Sequence, residues 1–300
     1  MSQRIKHLEK EIKAIKNENL DTSHLEQSLK ILKQEVQSKL SAWDKVQLAR
    51  SLDRPSSKDM IAAIFSDYIE LHGDRYYGDD GAITGGIAML KDQPVTVIGI
   101  VKGKDTEENI RAHFGMVHPE GYRKALRLMK QAEKFKRPIV TIIDTPGAFP
   151  GIEAEERGQG EAIAQNLMQM MDLSVPSISI ILGEAGSGGA LALAVTDKVW
   201  MFENAIYCIL SPEGFASILF KDASKASDVV EMMKITSQDL YKLGVIDAII
   251  SEENGFDCAS KLLQENLYKE FKTLLKLKPD RLKKLRYKRF RMMGDVIHEH

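Results

Sequence analysis

The chain has 300 residues, with 42 Lys and Arg against 43 Asp and Glu and 43% hydrophobic residues. That length and apolar content suit one large globular domain with appendages or two small ones, and a net charge of −1 argues against a nucleic-acid partner for the whole chain. The two cysteines, Cys208 and Cys258, form no C-x-x-C pair, so they make no zinc knuckle, give little basis for a disulfide framework and fit a reducing compartment.

The opening stretch MSQRIKHLEKEIKAIKNENL is charged throughout, and no run reaches the roughly eighteen apolar residues of a membrane span. A soluble, cytoplasmic protein is expected. Ile5, Leu8, Ile12 and Ile15 repeat at helical spacing, DTS breaks the pattern, and Leu25, Leu29, Leu32 and Val36 resume it. The pattern predicts an antiparallel helical hairpin over residues 1–55, with Ser23 and Glu26 forming a capping box at the second helix. After LDRPSSKDM, the segment Met60–Leu71 reads as helix. ITGGIAML and VTVIGIVKG flank KDQP and predict a hairpin of buried strands. HPEGYRKALRLMKQAEKF is helical, PIVTIID is a strand, TPGAFPG is a turn, and a helix is expected from about Glu153 to Met171. VPSISIIL leads into GEAGSGGALALA, a glycine-rich turn and a helix, followed by the short strands KVWMF and AIYCIL.

Strand, glycine turn and helix thus recur, with Pro138 and Pro176 opening two of the units. Apolar strands alternating with helices predict an α/β core over residues 56–255 whose ligands gather at the carboxyl ends of the strands. Residues 256–300 read as a basic helical segment; from Phe271 to Arg291 they hold ten Lys or Arg against one Asp. Such a face is solvated, docks an acidic partner, or grips phosphate.

Four glycines between Gly183 and Gly189 need a physical reason. A phosphate loop needs lysine followed by Ser or Thr after its last glycine, and Gly189 and Ala190 stand there. The dinucleotide fingerprint fails at Leu191. Ser187 resembles the nucleophile of Clp-type serine peptidases, yet no histidine follows it before His298, and Ala185 occupies the first glycine of G-x-S-x-G. What remains is the backbone. Gly188 and Gly189 lie where strand gives way to helix, so their N–H groups have no intrahelical acceptor and suit an oxyanion. Tight packing of the turn accounts for some of the glycines.

GDRYYGDDGAITGGIA, FGMVHPEGYRKALRLM, IDTPGAFPGIEAEERGQGEAIA, GEAGSGGALALA and LSPEGFASIL, in this order, resemble the α subunits of bacterial acetyl-CoA carboxylase carboxyltransferases over about residues 1–290. The resemblance implies a crotonase-type spiral of ββα units with the helical arm and C-terminal helices appended. It implies an α2β2 heterotetramer whose sites lie between α and β, with zinc on the β subunit and no metal in this chain. Biotin enters as carboxybiotin on a biotin carboxyl carrier protein, and a separate biotin carboxylase consumes ATP. The implied reaction carboxylates acetyl-CoA to malonyl-CoA for fatty acid synthesis, with the ureido nitrogen left on biotin able to deprotonate the acetyl methyl group.

By the same resemblance, Gly188 and Gly189 serve the biotin ureido oxygen. From their place at strand ends, Gly186, Gly147 and Ala148 form a wall with further N–H donors, and Phe149 is an apolar wall for biotin or a core-packing residue. Lys102 and Lys104 either attract the carboxylate or CoA phosphates or are ordinary surface lysines. Glu153, Glu155 and Glu156 suit a helix start rather than catalysis. Ala185 replaces a glycine common in the family and is tolerated if its backbone angles are ordinary. A second reading is a stand-alone crotonase-family hydratase or isomerase, which needs its own CoA adenine pocket and a carboxylate near the glycine loop. A third is a nucleic-acid module using the basic tail.

Overall fold

The computed structural model describes residues 8, 10–12, 14–16, 20–38 and 40–294. Residues 10–12 and 14–16 are helical and precede α1 (Ser23–Ser38), with Lys16 Nζ 2.6 Å from Glu26 Oε1 across the turn. Ile5 lies outside the described residues, as does the Val36 side chain. The expected Ser23–Glu26 box does not form. Ser23 is already the first helical residue, its amide and hydroxyl both donate to Asp21, and Thr22 takes Glu26 instead. Reciprocal capping boxes occur at the next two helices, Ser41 with Asp44 before α2 (Ala42–Ala49) and Ser56 with Asp59 before α3 (Ser57–Ile64).

The helix expected over Met60–Leu71 stops halfway. Ile64 ends it, Phe65 is extended, and β1 (Ser66–Glu70) pairs antiparallel with β2 (Ile83–Leu90). Ser66–Glu70 is an edge strand and mostly exposed, so it carries no buried alternation to read from sequence. β2 and β3 (Gln93–Ile100) form the expected hairpin, pairing from Ile83–Ile100 to Leu90–Gln93.

From β3 the sheet turns parallel through β4 (Ile139–Thr145), β5 (Ser177–Gly186) and β6 (Lys198–Phe202), ending on β8 (Ala248–Ile250). The short β7 (Ile206–Cys208) pairs with the end of β5. β4 and β5 are buried along their whole length, which explains their unbroken apolar character.

Between the strands lie α4 (Thr106–Arg111), α5 (Pro119–Lys134), α6 (Ile152–Glu156), α7 (Gln159–Asp172) and α8 (Ser187–Leu191). The single helix expected over 153–171 is two, because Gly158 adopts φ 81° and the buried Gln159 amide donates to the carbonyls of Val117 and Phe149. α8 is also short. The hydroxyls of Thr141 and Ser179 both donate to Leu193 O, holding the chain in a turn where ALALA would continue a helix.

The chain ends in α9 (Pro212–Phe220), α10 (Ala226–Met233), α11 (Ser237–Lys242), α12 (Phe256–Leu274) and α13 (Pro279–Met292). Leu263, Leu267, Phe271 and Leu282 join the main core. Arg286, read as part of a solvated or docking face, is buried instead. Its guanidinium holds Asp197 bidentately at 3.0 Å and donates to the carbonyls of Met170 and Leu173 at the end of α7. Among the described residues no helix is long and apolar enough to cross a membrane.

Candidate active site

β4 and β5 are parallel neighbours, so their carboxyl ends bring TPGAFPG and GEAGSGGA side by side. The two turns interlock through missing side chains. A Cβ on Gly186 would lie 2.1 Å from Pro146 O, and one on Gly189 would lie 2.4 Å from Ala148 N and 2.9 Å from the Tyr122 hydroxyl. Gly183 is equally confined by Asp144 Oδ1 and Ala49 O. Close approach therefore explains three of the four glycines, more than the sequence suggested. Gly188 differs: a Cβ there would meet only Ile163 Cγ2, at 3.9 Å.

Gly186 is the N-cap of α8, which makes Gly188 and Gly189 its second and third residues, ahead of the first intrahelical bond. Gly188 is half-buried and Gly189 is buried. The Tyr122 hydroxyl donates to Gly189 O at 3.2 Å and fixes that peptide from α5. Ala185 is buried, pairs with Thr145 and Tyr207, and is not left-handed, so its methyl group costs nothing.

Ser187 is exposed at φ 53°, the sharp strand-to-helix bend on which hydrolases present a serine. Among the described residues no imidazole is hydrogen-bonded to it. Elbow geometry is present, and no described histidine serves it as a base.

In the neighbouring turn, Thr145 Oγ1 accepts from the Gly147 amide at 3.0 Å, and the Phe149 amide donates to Val117 O at 3.1 Å. Gly147 is thus not the spare donor expected of it, although its backbone, at φ 152°, stands in open space. Ala148 and Phe149 are half-buried. The Phe149 ring stacks on His118 with centroids 4.0 Å apart.

The two lysines behave differently from the expectation of free anion-attracting groups. Lys102 Nζ is 2.8 Å from Asp144 Oδ1 and 3.8 Å from Glu184 Oε2, so its charge is spent at the base of the turns. Lys104 is drawn to Asp59 on α3, 2.6 Å away. A buried carboxylate needs such partners, and Glu184 also takes Arg50 at 2.8 Å, which in turn holds Glu213 at 2.7 Å. This network ties α2, β4, β5 and the start of α9 together beneath the glycine turn. Asp144 and Glu184 were missed as structural partners; acidic residues inside apolar strands were their only signal.

A second cluster lies behind Phe149. Asp80 Oδ1 accepts from the Ala82 amide and Oδ2 from the His118 amide, while His113 Nε2 is 3.8 Å away. Burial pushes the Asp80 carboxyl up to about 6 against those two amides. Burial, helped by the neighbouring His113, holds the His118 imidazole below its usual range.

The sequence family described as "Acetyl co-enzyme A carboxylase carboxyltransferase-like" matches residues 1–294. An acetyl-coenzyme A carboxylase carboxyl transferase subunit alpha from Bacillus cytotoxicus is 54% identical, covering 91% of this chain and 86% of that protein. One from Clostridium perfringens is 64% identical, covering 71% and 79%. A beta/alpha protein from Clostridium tetani is 56% identical over 87% of this chain, which spans only 46% of that longer protein. Among solved structures, a transcarboxylase 12S core superimposes with TM-score 0.60 at 21% identity, over 73% of this chain and 43% of that one. A Pseudomonas malonate decarboxylase chain gives 0.58 at 18% identity, over 70% and 86%. The shared architecture is the expected crotonase-type fold.

Proposed function

Because the chain belongs to the acetyl-CoA carboxylase carboxyltransferase family as an alpha subunit, we propose that it supplies one half of a carboxyl-transfer site. The substrates are carboxybiotin, borne on a carrier protein, and acetyl-CoA; the product is malonyl-CoA. The beta subunit supplies the other half. The beta/alpha relative, in which both names belong to one protein, supports that pairing. The α2β2 assembly, zinc on the beta subunit, a separate biotin carboxylase and a cytoplasmic location belong to the same proposal. So does the division into an arm (1–55), a core (56–255) and a C-terminal segment (256–300).

The observation that carries the assignment is the contrast within the glycine turn. Gly188 has room for a Cβ at a helix start, in ordinary contact with Ile163 alone, while Gly186 and Gly189 are locked against TPGAFPG. The Gly188 and Gly189 amides are the proposed donors to the biotin ureido oxygen, Gly186 and Ala148 set their position, and Phe149 forms an apolar wall. Gly147 contributes through its shape. Lys102 acts beneath the turns by holding Asp144 and Glu184, and Lys104 is held against Asp59 on α3 rather than offered to an anion.

Bound carboxybiotin supplies the carboxyl group and a basic ureido nitrogen once that group has left. The chain's own tasks are to orient the reactants and to stabilise a developing oxyanion, where one lost donor costs roughly 10²–10³ in rate. A lone hydratase fits less well. The two carboxylates beside the turn, Asp144 and Glu184, are both held by cations rather than free for proton transfer. The reading is tested by assaying carboxybiotin and acetyl-CoA with this chain alone and with its beta partner. Malonyl-CoA is expected only from the mixture, and turnover by the chain alone would refute a divided site.

A further inference from the structure

The family resemblance places zinc on the β subunit, and the two cysteines of this chain make no zinc knuckle. Its histidines tell a different story. Asp80, His113 and His118 come from the loop before β2, the short turn after α4 and the N-cap of α5. Each offers one ligand atom, and these three atoms all lie within 4.8 Å of one another. We propose that they form a binding site for a divalent transition-metal ion of the zinc type, independent of the carboxyl-transfer reading.

The donor set comes first. Two imidazoles and one carboxylate suit zinc and its first-row neighbours and leave positions for water or a further ligand. Magnesium and calcium prefer oxygen alone.

The second argument is an unsatisfied atom. The His118 side chain is only 8% exposed, yet its Nδ1 has no hydrogen-bond partner in the interior and makes no cap bond to α5. A buried nitrogen left without a partner destabilises the fold. Nδ1 lies 4.0 Å from Asp80 Oδ1, too far to bond directly but close enough for both to reach one cation.

Asp80 is held ready for the task. Its two oxygens each accept one backbone amide, from Ala82 and His118, so each keeps a second lone pair. Its charge also lies at the start of the sixteen-residue α5, where the helix dipole favours it.

Entry is from the His113 side, since that side chain is 37% exposed. Metal bonds near 2.0–2.1 Å put tetrahedral ligand atoms about 3.3 Å apart, so the three atoms must close by roughly 1 Å. His113 can supply that movement. It begins a run of left-handed residues, His113 at φ 47°, Phe114 at 56° and Gly115 at 78°, of which His113 is half-buried, Phe114 exposed and Gly115 buried. Bound metal would also clamp the His118 ring, and with it the Phe149 ring stacked at 4.0 Å. The site would thereby stiffen the TPGAFPG wall.

The test uses the full-length, untagged chain carrying His298→Ala and His300→Ala, which removes the histidines at the C-terminus. After dialysis against a chelator it is titrated with Co²⁺, read by visible absorption and by melting temperature. The expected result is one saturable equivalent, displaced by Zn²⁺, with a raised melting temperature. His113→Asn keeps a residue type that tolerates the left-handed region. It should leave the metal-free melting temperature unchanged but weaken Co²⁺ by more than the roughly tenfold that loss of an outer partner costs. His118→Phe keeps the ring stack, removes Nδ1, and should have the same effect on Co²⁺. No saturable absorption, or identical titrations in the parent and both variants, would overturn the proposal.

Discussion

At Gly188 an added methyl group makes an ordinary contact with Ile163, whereas at Gly189 it runs into the Ala148 nitrogen and at Gly186 into the Pro146 oxygen. Gly188→Ala should therefore stay within about 0.5 kcal/mol of the parent in denaturant unfolding, while Gly189→Ala should lose about 1–3 kcal/mol. Equal losses would mean that the turn is not built as described. Asp79 gives a residue-scale test in pH. Burial raises its pKa, but the Lys124 ammonium at 2.8 Å, the Gly73 amide and His72 outweigh that and bring it down to about 2. A carboxyl depressed on folding contributes stability above its unfolded pKa of about 3.8 and loses it as pH falls towards 2. Asp79→Asn should cost about 1–2 kcal/mol at pH 7, since water screens the exposed side of the pair, and should flatten the loss between pH 4 and 2. An unchanged acid limb would contradict the pairing. Ser187 shows what sequence can reveal at this scale. Its missing histidine partner excluded a serine nucleophile, but its left-handed bend could not be read from the chain.

At the scale of elements, α13 tests whether the basic tail belongs to the body. Arg286 is fully enclosed and satisfies both Asp197 and the orphan carbonyls ending α7. Arg286→Ala should cost about 3–5 kcal/mol, because it strands a buried carboxylate. Lys283→Ala, which removes a rim contact to the exposed Asp172, should cost under about 1 kcal/mol. Similar values from thermal or denaturant unfolding would show that the tail is a solvated appendage after all. The elements with a strong period or buried on both faces were readable, as β2, β3, β4, β5 and α5 show. The misreadings arose where tertiary contacts outvoted local pattern. β1 is an edge strand without a buried face, Gly158 splits a continuous helical pattern, and hydroxyls from two strands end α8 early. Ten cations near the C-terminus looked alike in sequence; only packing singled out Arg286.

Across the whole molecule, the fold places two glycine-bearing turns at the ends of adjacent parallel strands and braces them from below. Arg50, Glu184, Lys102 and Asp144 join the segment after α2 to β4 and β5, so the N-terminal region supports the site it does not line. The candidate turns stood out in the sequence as glycine clusters at strand ends, although close approach accounts for three of the four glycines between Gly183 and Gly189. The ion pairs, the His118–Phe149 stack and the Asp80 cluster were not readable, since their members lie far apart along the chain. The central claim is that this chain offers backbone amides, through Gly188 and Gly189, to the ureido oxygen of biotin. The most direct measurement is a structure of this chain with its beta partner and a biotin analogue. The account predicts at least one of those amide nitrogens within about 3.5 Å of the ureido oxygen. Both nitrogens beyond that reach, with the analogue bound, would contradict it.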